Sequence, residues 1–117
     1  MRLSRILRKS EIGLSFWCPG CDEVHHINVN PGWTWNDDVE RPVFSPSIKV
    51  TSVRPLTDEQ HAAFMRGEGI PEPVPTCCHS FVGCNGAQPG QIVFLSDCTH
   101  KLAGQVVDMV GWPEGYD

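Results

Sequence analysis

The chain has 117 residues, a formal net charge of −5, 10 prolines, 11 glycines, four tryptophans and six cysteines. This length fits one domain with a modest core, in which a metal or disulfide staple would matter, and leaves no room for a second full domain. An acidic body repels phosphate, which argues against duplex DNA, and no stretch approaches the roughly 20 apolar residues that span a bilayer.

Residues 1–10 hold Arg2, Arg5, Arg8 and Lys9, four of the nine basic residues. Leu3, Ile6 and Leu7 fit one helical face opposite them, so this segment reads as a basic N-terminal arm, either a solvated turn or a short amphipathic helix. It lacks the continuous apolar run of a secretory leader, which predicts a soluble cytoplasmic protein. Residues 12–17 alternate Ile12, Leu14 and Phe16 against Gly13, Ser15 and Trp17, a half-buried strand. It runs into Cys18-Pro19-Gly20-Cys21, the tip of a hairpin whose return strand is 24–29, with Gly20 expected to supply a positive φ.

Asn30-Pro31-Gly32 is a turn signal, and the period of two in Trp33-Thr34-Trp35 sends both indoles to one side. Residues 43–53 predict a strand carrying Phe44, Ile48 and Val50 on one face and Ser45, Ser47 and Lys49 on the other, with Pro46 marking an edge or bulge. Thr57 and Gln60 form a capping-box pattern for a helix over 58–66, stopped at Gly67. Three prolines make 70–76 an extended connection, and 78–82 and 91–95 form a second hairpin around Asn85-Gly86 and Pro89-Gly90. A last strand over 105–110 precedes a frayed tail at Trp112-Pro113. The predicted class is mainly β, a small α+β chain of zinc-ribbon-like β-hairpins with one short helix.

Cysteines in a reducing compartment read as metal ligands before they read as disulfides. The first ligand set is Cys18, Cys21, Cys78 and Cys98, with His79, His100 and His25 as alternates and Zn²⁺ as the ion. The pairing of Phe81 and Val82 with Ile92 and Val93 brings Cys78 near Cys98, and an extended 98–100 would point Cys98 and His100 to one side. Cys77 and Cys84 are left as spare thiols, and His26 and His61 as solvent-facing. Asp97 can hydrogen-bond a ligand histidine or serve as a general base on a metal-bound water, whereas Glu23 and Glu40 read first as surface charge.

Two enzyme classes fail on pattern. A zinc deaminase needs Pro-Cys-x-x-Cys after His-x-Glu, and here the proline lies inside the cysteine pair with no such upstream motif. Ser45, Ser47 and Ser80 have histidines nearby in sequence, but no Gly-x-Ser-x-Gly elbow surrounds any of them, so a serine hydrolase is unsupported.

Phe16-Trp17-Cys18-Pro19-Gly20-Cys21, Gly32-Trp33-Thr34-Trp35-Asn36, Phe44-Ser45-Pro46-Ser47, Cys78-His79-Ser80-Phe81-Val82 and Asp97-Cys98-Thr99-His100-Lys101-Leu102-Ala103-Gly104 together resemble a family of small uncharacterised phage and prophage proteins. Some members carry the label "ammonia monooxygenase", which a chain without spanning helices does not fit. The resemblance implies a phage-encoded zinc-binding protein of the host cytosol and supplies no catalytic residues. The resulting expectation is a binding or accessory module with a structural zinc and a protein partner. Trp33, Trp35 and the basic arm are its contact surfaces. The alternatives are a zinc-dependent hydrolase with an open metal position, using Asp97 or Glu23 as base, and an adaptor that stacks single-stranded nucleic acid on the tryptophans.

Overall fold

Alternating apolar residues bounded by Gly, Pro and Asn turns can bury one face only by pairing strands, and the chain does so in two antiparallel sheets. The computed structural model describes residues 1–11, 13–29 and 31–116; the expectations for Ile12 and Asn30 lie outside these. The first sheet has the order β1-β2-β3, with β1 Leu7–Ser10, β2 Gly13–Cys18 and β3 Glu23–Ile27. The second has the order β4-β5-β6-β7-β8, with β4 Thr34–Trp35, β5 Phe44–Val53, β6 Pro75–Val82, β7 Gln91–Phe94 and β8 Val106–Asp108. The mainly β class with one short helix is therefore correct.

The core lies between the sheets. Leu7, Leu14, Phe16 and Ile27 meet Phe44, Ile48, Val82, Ile92 and Phe94, and the Phe16 and Phe44 rings stack with centroids 6.3 Å apart. Burying each such ring stabilises the fold by about 1.5–3 kcal/mol.

Several registers match the sequence expectation: Phe81 faces Val93, Val82 faces Ile92, and the β5–β6 ladder shifts between Phe44 and Ile48, at Pro46. The helix α1, Asp58–Met65, has both capping-box bonds, from Gln60 N to Thr57 Oγ1 and from Thr57 N to Gln60 Oε1, at 3.1 and 3.0 Å. It buries no residue and stands off the two sheets.

Both ends of the chain differ from expectation. The N-terminal segment is neither an arm nor a helix: Ile6 and Leu7 belong to the core, and β1 pairs with β2 from Leu7–Phe16 to Ser10–Gly13. An apolar pair that completes a core outweighs the preference of charged termini for solvent. Arg8 is buried, with its guanidinium 4.7 Å above the Trp112 ring and its Nη1 donating to Ser4 O at 2.7 Å. The tail is not frayed at Trp112, whose Nε1 donates to Ile6 O at 2.8 Å and whose ring lies 6.2 Å from that of Trp17. Among the described residues, no helix is long and apolar enough to cross a membrane.

Candidate functional site

Strand β6 alternates Cys78, Ser80 and Val82, all buried, with Cys77, His79 and Phe81, which are partly exposed. Neighbouring residues of one strand face opposite sides, so Cys78 and His79 serve two different arrays.

On the buried side, ligand atoms of Cys18, Cys21, Cys78 and His100 all lie within 4.8 Å of one another. Cys18 ends β2, Cys21 lies in the β2–β3 turn, Cys78 is in β6, and His100 is in the β7–β8 connection. The cluster therefore joins both sheets. The turn is held by Asp22 N donating to Cys18 O at 2.8 Å and Cys21 N donating to Cys18 Sγ at 3.4 Å. Its positive φ falls on Asp22, at 57°, and not on Gly20 as expected. Gly20 is needed for space, since a Cβ there would run into the His100 ring.

That ring is fixed edge-on to Phe94 with centroids 4.6 Å apart, and its Nδ1 accepts from Leu102 N at 3.2 Å. Its Nε2 is buried without a hydrogen-bonding partner. A buried orphan of this kind beside three thiols fits a metal ligand, whose binding through Nε2 would move the ring proton to Nδ1 at the expense of the Leu102 contact. The thiols share charge unequally. Cys18 is driven well below the ordinary thiol range, chiefly by Cys21 and then Cys78. Cys21 is pushed up to about 12, first by Cys18, and Cys78 is pushed up by Cys18 and then Cys21. No disulfide links them, and all six cysteines are free.

Of the predicted ligands, Cys18, Cys21 and Cys78 come together, and the alternate His100 joins them in place of Cys98. The expectation for Cys98 came from the hairpin register, with an extended 98–100 segment pointing Cys98 and His100 to one side. The chain turns instead, with Cys98 N donating to Leu95 O at 3.2 Å and Ala103 N to His100 O at 3.3 Å. The Cys98 thiol lies against the His79 backbone. His25 is buried next to Cys18, which it helps hold as a thiolate, but stands outside the group of four. Cys84 points to Phe44 O at 3.6 Å, and Cys77 lines a groove with Cys21, Cys78, Thr99 and His100.

The outer side holds what the sequence reading missed. His79 Nε2 lies 3.2 Å from Ser47 Oγ, and its Nδ1 lies 3.1 Å from Asp97 Oδ2. A hydroxyl on one ring nitrogen and a carboxylate on the other is the arrangement in which imidazole can take the serine proton while the carboxylate fixes the tautomer. Ser47 reaches this place because β5 bulges across Ser45-Pro46-Ser47, where the Ser45–Pro46 peptide is cis. The Trp33 indole N–H donates to Ser47 O at 3.2 Å. Trp33 and Trp35 are only part-buried, packed against the core edge. His79 has 24% of its side chain exposed and Asp97 49%, so the array opens on the sheet surface. The one signal in the sequence was polar periodicity: Ser47 and His79 both fall on outward positions of their strands.

Residues 3–94 match the family model described as "Bacterial ubiquitination-like system serine protease (BubE)". A curated protein, the "Highly reducing polyketide synthase sdnO" of Sordaria araneosa, is 34% identical over 65 residues, which is 56% of this chain and 2% of that protein. No solved structure matches the chain.

Proposed function

The chain belongs to the bacterial ubiquitination-like system serine protease (BubE) family, and from that premise we propose that it is itself a serine protease, with Ser47 as nucleophile, His79 as general base and Asp97 as the carboxylate that orients it. The observation that carries this reading is the pair of contacts on opposite nitrogens of one imidazole, at 3.2 and 3.1 Å. Ser47 Oγ attacks the carbonyl carbon of the scissile amide as its proton passes to His79 Nε2. Collapse of the tetrahedral intermediate breaks the C–N bond, and His79 returns the proton to the leaving amine. Water then attacks the acyl-serine with His79 again as base, releasing the acid and free Ser47.

The substrate in this proposal is an amide bond in a protein component of a bacterial ubiquitination-like system. An array on the open face of a sheet suits a segment of another protein better than a small molecule, which calls for an enclosing pocket. The missing Gly-x-Ser-x-Gly elbow is no obstacle, because triads are defined by geometry and occur on unrelated folds.

The thiol cluster is proposed to hold zinc in a structural role. A tetrahedral ion with metal–sulfur bonds of about 2.3 Å holds its sulfurs about 3.8 Å apart. Cys18 Sγ and Cys78 Sγ are 3.8 Å apart. Three thiols and one imidazole complete the shell without an open position, which favours a staple between the sheets over a zinc hydrolase. The accessory reading then applies to the metal, while the chemistry passes to Ser47.

The test is covalent labelling by a fluorophosphonate followed by peptide mapping. The expected result is one adduct per chain on Ser47, absent in Ser47→Ala and His79→Ala at unchanged metal content. Labelling that survives Ser47→Ala would overturn the assignment.

A further inference from the structure

We propose that Cys98 is a positioning residue for the serine–histidine–aspartate array, a role that rests on the serine-protease reading. The β6–β7 ladder ends at Ser80–Phe94. Beyond it, β7 gives way to a turn whose N–H groups still donate to the His79 and Cys77 carbonyls, while the N–H groups of His79 and Cys77 need other acceptors. Side chains supply them. His79 N donates to Cys98 Sγ at 3.2 Å, and Cys77 N donates to Thr99 Oγ1 at 3.0 Å. In the reverse direction Cys98 Sγ donates to His79 O at 3.2 Å, beside Leu95 N at 2.9 Å, and Thr99 N donates to Cys77 O at 2.9 Å.

Asp97 is attached to this clip directly, one residue before Cys98. Its carboxylate cannot hold itself in place. A contact between an imidazole and a carboxylate about half exposed to water contributes less than the entropy of ordering a loop residue costs. The distance between Asp97 and His79 is therefore set by the backbone, through a buried thiol that grips both polar groups of His79. Cys98 is not a member of the neighbouring cluster, and its thiol meets the His79 backbone instead.

Cys98→Ser keeps a donor and an acceptor at the same place, whereas Cys98→Ala removes both. The measurements are the rate of Ser47 phosphonylation, split into reagent binding and the chemical step, bound metal per chain, and the downfield NMR signal of the His79 Nδ1 proton. The expected result for Cys98→Ala is a chemical step slowed about 10- to 100-fold with unchanged reagent affinity, full metal content and loss of the downfield signal. Cys98→Ser restores the rate and the signal. A Cys98→Ala protein that labels at the wild-type rate would overturn the proposal, as would loss of metal in both variants, which would make Cys98 a ligand. Should Cys98→Ala fail to fold, amide exchange in the unsubstituted protein decides: a protected His79 N–H supports the clip and a fast-exchanging one contradicts it. Failure of the serine-protease reading is distinct from either outcome, because it would appear as absent labelling in the unsubstituted protein while the His79–Asp97 signal persists.

Discussion

A single missing methyl group is what lets His100 enter the thiol cluster. Because a Cβ on Gly20 would overlap its ring, Gly20→Ala is expected to weaken metal binding at least tenfold, as measured by competition with a chromophoric chelator. An unchanged affinity would mean that the ring is not a ligand. On the opposite face, Asp97→Asn removes the charge that selects the His79 tautomer. The expected loss in phosphonylation rate is about 10³- to 10⁴-fold, with the circular dichroism spectrum retained. A residue that only decorated the surface would change the rate by less than twofold. These two faces explain why the site was half legible in the sequence. Three of the four clustered side chains were named from the sequence, because Cys-x-x-Cys spacing is local and the second hairpin puts Cys78 at its open end. Asp97 was legible only as a partner for some histidine, and Ser47 was set aside for want of an elbow motif, because their meeting with His79 depends on a bulge and a turn that have no fixed motif.

At the level of elements, the hairpins were legible wherever period two and turn residues agreed, as in the Phe81–Val93 and Val82–Ile92 pairs. The N-terminal segment was misread because its arginines dominate the pattern, while Ile6 and Leu7 decide its burial. The cluster draws its ligands from β2, the β2–β3 turn, β6 and the β7–β8 connection. Chelation is therefore expected to loosen both sheets together, with lowered Tm and faster amide exchange in β2 and β6 alike. Loss of protection confined to the Cys18–Cys21 turn would show that the ion does not bridge them. Helix α1 provides the contrast. Thr57→Ala removes its cap at a cost of about 1 kcal/mol to the helix, but α1 buries nothing. Amide exchange should quicken in 58–65, and phosphonylation of Ser47 should not change.

Across the whole molecule, the two arrays share strand β6, and the proposed function divides the work between them: an ion held by the thiol cluster would join the sheets, and Ser47 on the outer face would be the nucleophile. Proton bookkeeping tests the first half of that division. Without metal, Cys18 carries the thiolate, while Cys21, pushed up to about 12, and Cys78, also raised, keep their protons. Binding an ion must expel both, so calorimetry in buffers of different ionisation enthalpy is expected to find about two protons released per ion. Affinity should then fall about 100-fold for each unit of acidification near neutrality. The sign for the metal-free fold is opposite. Above the ordinary thiol range, near 8.5, the unfolded chain ionises Cys21 and Cys78 and the folded chain does not, so metal-free stability declines as pH rises. The second half of the division, that Ser47 and not one of six free thiols performs the chemistry, is the central claim. Its most direct test is to mix the metal-loaded protein with p-nitrophenyl acetate, quench in acid and locate the acetyl group by peptide mass spectrometry. The account predicts one acetyl group on Ser47, lost in His79→Ala; an acetyl group on a cysteine, or on no residue, would contradict it.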